Sequence, residues 1–169
     1  MYQFSKCNYN DLEDINRLMA SVDVEISNPN IFVSDDETFV KRHIKDDGFI
    51  LKAMSDDEMV AFLLVRYPKD DPDNLARDIK TIDEEKYEHI AHMESVVVAK
   101  DHRGNNLQYK LIVEAEKILE NEHIEYSMAT VSPINKYSLI NFVKADYVVT
   151  RVKNKYTDVK RIILKKDID

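Results

Sequence analysis

Glu94, His92 and the run HRGNNLQ at 102–108 are the residues best suited to chemistry. A carboxylate at 94 can take a proton from an ammonium group, directly or through water, and a neutral imidazole at 92 can do the same. The two stand two residues apart on one predicted strand, so they share a face unless a bulge intervenes. HRGNNLQ follows the β-branched run SVVVAK and opens an apolar-periodic stretch. A strand, a tight turn and a helix start gather unpaired backbone N–H groups, and the helix dipole adds positive potential; the combination suits a phosphate. Gly104 is one of only two glycines in 169 residues. It allows the turn and lets a ligand approach the backbone. Arg103 supplies a side chain for a charge-assisted contact to a phosphate oxygen. The same residues also fit an ordinary helix start with an Asn cap. The run is not a P-loop, because no Gly-Lys-Ser/Thr follows. It is not a dinucleotide fingerprint either, since it lies after several strands and holds a single glycine.

The apolar pattern gives the elements that must position these groups. YQFSKC alternates as a strand. Asp11 to Ser21 places Leu12, Ile15, Leu18 and Met19 at helical spacing, and residues 35–45 read as a second helix with an acidic start. After a turn at Asp46-Asp47-Gly48, Phe49–Met54 and Met59–Tyr67 form a hairpin turning at SDDE. Pro68 to Lys86 is a long acidic connection, read as a solvated loop in preference to an amine-attracting rim. YEHIAHMESVVVAK is a strand, and 105–121 is the clearest helix, with Leu107, Leu111, Ile112, Ala115, Ile118 and Leu119 on one stripe. A strand at Glu125–Val131, a helix at Asn135–Lys144 and two closing strands, Tyr147–Val152 and Lys160–Lys165, complete the order. Such alternation predicts a mixed α/β or α+β sheet covered by helices, with parallel strands on either side of the 105–121 helix.

Composition narrows the function classes. Apolar residues are 44% and charged residues 33%, a globular mixture, and the length suits a single domain over 1–169. No apolar run approaches a membrane span, and MYQFSKCNYNDLED lacks the basic and apolar order of a secretory signal. The single cysteine, Cys7, excludes an intramolecular disulfide and fits a reducing, cytoplasmic setting. A net charge of −8 argues against nucleic acid and anionic membranes and makes a cationic partner easier to accommodate. Residues 69–88 hold eight acidic and four basic side chains, whereas RVKNKYTDVKRIILKK holds seven Lys or Arg and one Asp, so charge is segregated along the chain. No metal is expected.

Two blocks carry a resemblance. SVVVAKDHRGNNLQYKLIVEAEKIL and SMATVSPINKYSLINFVKADYVV are similar to the signatures of the GCN5-related N-acetyltransferases, the GNAT family. Arg103 occupies the first position of its Arg/Gln-x-x-Gly-x-Gly/Ala motif, with Asn106 and Gln108 at the glycine positions. In the second block, Asn135, Ser138, Phe142, Lys144, Asp146 and Tyr147 stand at the positions of the family's Asn-x-x-Ser/Ala-x-x-x-Tyr-x-Lys-x-Gly-Phe.

The resemblance implies a mixed, mostly antiparallel sheet with splayed strands and helices on both faces. It also implies transfer of an acetyl group from acetyl-CoA to a primary amine of a small molecule or peptide, by direct attack in a ternary complex. Val96, Val97 and Val98 would pair through their backbone with the pantetheine arm. The amides of Arg103, Gly104, Asn105, Asn106, Leu107 and Gln108 would hold the pyrophosphate. Asn135, Ser138 and Phe142 would meet the cofactor from the next helix. Glu94 is the candidate base and His92 the alternative. Many members carry a tyrosine where this chain has Phe142, so a leaving thiolate would take its proton from Tyr137, Tyr147 or water, or leave without an acid. That substitution keeps a second reading open, a non-catalytic acyl-CoA sensor of the same fold. Similar proteins are frequently homodimers.

Overall fold

The computed structural model describes residues 1–26, 28, 30–32, 34–155 and 158–168. In chain order these form β1 (Tyr2–Lys6), α1 (Leu12–Ile26), α2 (Glu37–His43), β2 (Gly48–Ser55), β3 (Glu58–Arg66), α3 (Ala76–Ile79), β4 (Ile90–Val98), α4 (Leu107–Asn121), β5 (Tyr126–Val131), α5 (Lys136–Lys144), β6 (Val148–Lys155) and β7 (Val159–Asp167). The seven strands make one sheet in the order β1-β2-β3-β4-β5-β7-β6. Every neighbouring pair is antiparallel except β4 and β5, which are parallel and joined through α4. A helix returns the chain to the same end of the sheet, and that makes a parallel pair. The fold is thus the mixed sheet that the order of elements predicts, and it is mostly antiparallel, as the resemblance implies.

Each face of the sheet has its own core. On one face α1 and α2 bury Ile15, Leu18, Met19, Val22 and Val40 against Ile50, Phe62, Leu64 and Val97. On the other, α4 lays Leu107, Leu111, Ile112, Ala115 and Leu119 on Leu51, Leu63, Val65 and Ala91. Val97 thus faces α1 while Val96 and Val98 pack toward α4. This alternation is what a strand covered on both faces requires.

The 68–86 connection differs from the expected solvated loop. It contains α3, and its Leu75, Ala76 and Ile82 pack with Tyr87, Ile90, Met128 and Ile163 in a third cluster. Its acids are employed as well. Asp71 and Asp73 clasp Arg66, and Asp78 pairs with Lys153 and Lys155 on β6. The sequence signal was there in the apolar residues between the acids, but their spacing is too irregular to show as a period.

Gly48 has a different purpose from the turn assigned to it. It opens β2, and a Cβ there would lie 2.0 Å from the Val65 carbonyl oxygen of β3. Only glycine permits that approach.

Among the described residues, no helix is long and apolar enough to cross a membrane, and no group of His, Cys, Asp and Glu is placed to hold a metal.

Candidate active site

Strands β4 and β5 stay paired only from Ile90 to His92, against Tyr126 to Met128. Beyond that they part. The gap is a cleft of ≈ 220 Å³, with Met93, Glu94, Ser95 and Val96 on one wall and Thr130, Val131 and Ser132 on the other. Asn135, Ser138 and Phe142, at the start and along α5, also line it, as do Ile31, Phe32, Asp35 and Arg161.

A β-bulge aims the first wall. Leu64 pairs with Ser95 while Val65 pairs with Met93, which leaves Glu94 as the extra residue of β4. Bulges re-aim side chains and recur beside functional sites. Here the bulge reverses which face later residues take: Ala91 and Met93 share the α4-side core with Val96 and Val98. His92 and Glu94 remain neighbours despite it, with Nδ1 of His92 3.7 Å from Oε2 of Glu94.

The surroundings keep that carboxylate charged. The Leu75 amide donates to Nε2 of His92 at 3.2 Å, so a neutral His92 carries its proton on Nδ1, toward Glu94. Arg66, on the adjacent strand, lies 3.9 Å from Glu94 and is itself buried. Asp73 accepts two bonds from it at 2.9 Å, and Asp71 accepts a third. Burial pushes the Glu94 carboxyl up, but His92 and then Arg66 outweigh it and hold the group below its ordinary value.

Asp35 is the opposite case. Burial raises its carboxyl to about 6, against the hydroxyl of Ser95, which donates to it at 2.5 Å. Two carboxylates of opposed proton affinity therefore face one cleft. In the sequence Asp35 reads as part of an acidic helix start, and neither it nor Arg66 stands out as a site residue. The signal for Arg66 was a lone cation closing the apolar run MVAFLLV, since a buried guanidinium requires acids nearby and 70–73 supplies them. Residues 27, 29 and 33, in the stretch before Asp35, lie outside the described residues.

The turn before α4 has the expected backbone. Gly104 takes φ 81°, and a Cβ there would meet nothing within 4 Å, so the positive φ is what favours glycine. Asn106 is left-handed too, at φ 58° and ψ 25°, immediately before the first helical residue. Asparagine tolerates that region better than most side chains, which explains its place at a glycine position. The first bond into α4 runs from the Lys110 amide to the Asn106 carbonyl at 3.0 Å. The amides of Leu107, Gln108 and Tyr109 therefore precede the helix's own acceptors.

Four of the expected site side chains have other partners or positions here. The Arg103 guanidinium forms a bidentate pair with Glu25 of α1 at 2.8 and 3.0 Å, and its amide donates to the Lys100 carbonyl at 3.2 Å. Both groups are thus engaged within the protein, and the side chain anchors the turn to α1. Gln108 does not extend toward the cleft: it donates to Ser138 Oγ at 2.8 Å and accepts from Asn141 at 3.1 Å, bracing α4 on α5. Neither tyrosine lines the cleft. Tyr137 is 85% exposed. Tyr147 is buried with its hydroxyl 2.6 Å from Ser127 Oγ, and burial pushes its phenol far up. Asn135 accepts from the Ser138 amide at 3.2 Å, so it caps α5 while also lining the cleft.

Comparisons with known proteins agree with this geometry. No curated protein matches the sequence. Among solved structures, the chain is similar to the ribosomal-protein-S18-alanine N-acetyltransferase from Escherichia coli, with TM-score 0.73 and 12% identity over 100% of this chain and 95% of that one. A GNAT-family acetyltransferase from Streptococcus pneumoniae gives 0.70 and 17% over 100% of both chains. An N-acetyltransferase from Staphylococcus aureus Mu50 gives 0.75 and 13%, covering 99% of this chain and 98% of that one. At such identities these likenesses show the fold. Residues 13–146 match the model of the acetyltransferase (GNAT) family, so the chain belongs to that family.

Proposed function

We propose that this protein transfers an acetyl group from acetyl-CoA to a primary amine of a small molecule or peptide, by direct attack in a ternary complex. The observation that carries the proposal is the splayed β4–β5 cleft, which opens beside Glu94 at one wall and Phe142, Ser138 and Asn135 at another. The residues present fit the cofactor. Past His92, β4 has no partner strand on its β5 side among the described residues, so its backbone there is open to the amides of a pantetheine arm. The left-handed Gly104 and Asn106 and the unpaired amides that start α4 suit a pyrophosphate. Bound there, acetyl-CoA supplies the activated acyl group.

The chain's own residues do the rest. The walls place the amine against the acyl carbon, which removes most of the entropic cost of the encounter. A β4 backbone N–H near Val96 serves as donor to the developing oxyanion. Glu94 accepts a proton from the nitrogen, with His92 beside it. Phe142 offers no proton, and the remaining hydroxyls of the cleft are aliphatic. A thiolate with an ordinary pKa of about 8.5 is a tolerable leaving group without an acid. The acceptor we infer is cationic, since Asp35 and Glu94 face the same space. Thiol release with acetyl-CoA and a panel of spermidine, kanamycin, L-lysine and an alanyl tripeptide tests the reading. Tight acetyl-CoA binding without release across such a panel would favour the second reading, an acyl-CoA sensor, which Phe142 supports.

A further inference from the structure

A primary ammonium carries three N–H bonds and the amide it becomes carries one. Two protons therefore leave the nitrogen, and Glu94 accounts for one. A second carboxylate faces the same cleft. Asp35 stands just before α2, half-buried, with Ser95 Oγ donating to it at 2.5 Å. Ser95 directly follows Glu94 on β4 and is paired with Leu64, so the bulge that frees Glu94 also sets the residue that holds Asp35. The loop bearing Asp35 is fastened on its other side, where Arg161 of β7 donates to the Asn30 carbonyl at 2.8 Å. Asp35 is thus held at the cleft from β4, while Asn30 of the same stretch is tied to β7.

The geometry points to Asp35 as a second catalytic carboxylate, which takes the first proton from the acceptor ammonium, while Glu94 takes the second after the C–N bond has formed. This rests on the acetyl-transfer reading above. The division of labour follows from what each carboxylate touches. Glu94 faces Arg66 and His92, which favour its charged form. Asp35 has a neutral hydroxyl as its hydrogen-bond partner. Of the charges around it, Glu94 on β4 and the adjacent Asp36 disfavour its ionisation and Arg66 on β3 favours it, with burial the largest influence. An ammonium gives up its first proton reluctantly, so that proton goes to the carboxylate of higher proton affinity. Once the nitrogen is bonded to the acyl carbon its remaining extra proton is more acidic, and the weaker base suffices.

The balance closes. Asp35 carboxylate becomes the acid as R–NH3+ becomes R–NH2. The nitrogen lone pair forms the C–N bond, the C–S bond breaks and its electron pair leaves on sulfur. Glu94 receives the second nitrogen proton. Both carboxyls then release their protons, the thiolate takes up one, and one proton goes to water.

The test is the pH dependence of kcat/KM for the fastest amine of the panel, in the wild type, Asp35→Asn and Asp35→Glu, with acetyl-CoA affinity followed by calorimetry. The wild type should lose activity as pH falls through about 6. Asp35→Asn should lose that limb and at least about tenfold in kcat/KM near neutrality, with acetyl-CoA affinity unchanged; Asp35→Glu should keep a limb. Asp35→Asn within about twofold of wild type, with the limb intact, would overturn the assignment. A 13C NMR titration of Asp35 in the unmutated protein serves if the variants do not fold: a midpoint near 6 is expected, and one at an ordinary carboxylate value of about 4 overturns the role. A wild type that binds acetyl-CoA and acetylates amines with no dependence on Asp35 sinks this inference alone. One that binds no acetyl-CoA sinks the acetyl-transfer reading beneath it.

Discussion

Arg66 and Glu94 face each other at 3.9 Å across two adjacent strands, and Arg66 is held from behind by Asp71 and Asp73. The cation is buried, so removing it leaves Glu94 and two aspartates without their shared partner. Arg66→Met should destabilise the fold by about 3–5 kcal/mol, read from urea unfolding. It should also release Glu94 upward in pKa, and a retained low Glu94 midpoint would show that His92 alone holds the carboxylate charged.

Gly48 is limited by space. Its missing Cβ would lie 2.0 Å from backbone, which no side-chain adjustment relieves. Gly48→Ala should cost more than about 3 kcal/mol or abolish folding. A melting temperature within a few degrees of wild type would contradict the close β2–β3 contact.

Gly104 and Asn106 are limited by φ instead. Asn106→Val puts a β-branched side chain in the left-handed region and should cost about 1–3 kcal/mol, whereas Asn106→Gly should be close to neutral. If both residues shape a phosphate cradle, Asn106→Val also weakens acetyl-CoA binding. Calorimetry reads the second effect and thermal unfolding the first.

Gln108 shows how far the sequence could be read. The motif put it where a glycine meets the cofactor. The structure gives it two bonds to α5, so Gln108→Ala should cost about 1–2 kcal/mol and loosen α5 against α4. Which way a long polar side chain turns depends on the helix that packs beside it, and that is not visible locally. Elements with a strong period, such as α4 with Leu107, Leu111 and Leu119, were legible at once. The splay was not, because it depends on where β4 and β5 cease to pair. Asp35 joined the site through a contact with Ser95, 60 residues away, and Arg66 needed partners on a loop that looked merely solvated. Arg103 was legible as a turn residue, but its pairing with Glu25 of α1 was not.

Asp35 carries a stability consequence with a definite sign. Its carboxyl is raised from 3.8 to about 6, chiefly by burial. A carboxyl raised by folding contributes stability that is full below its unfolded value and is lost as pH rises through its folded one. At pH 7 the ionised side chain is therefore a net cost, and Asp35→Asn should stabilise the protein there by about 1–3 kcal/mol, fading toward pH 4. Asparagine keeps an oxygen for the Ser95 hydroxyl. A variant that is more stable and less active is the pattern expected of a functional residue.

Acetyl transfer at the β4–β5 cleft is tested by thiol release from acetyl-CoA in the wild type and in Glu94→Gln, with acetyl-CoA affinity measured in parallel. Amine-dependent release is expected from the wild type, with release at least about tenfold slower from Glu94→Gln and equal acetyl-CoA affinity in both. Full activity in Glu94→Gln would remove that residue from the chemistry, and a wild type that binds no acetyl-CoA would contradict the account as a whole.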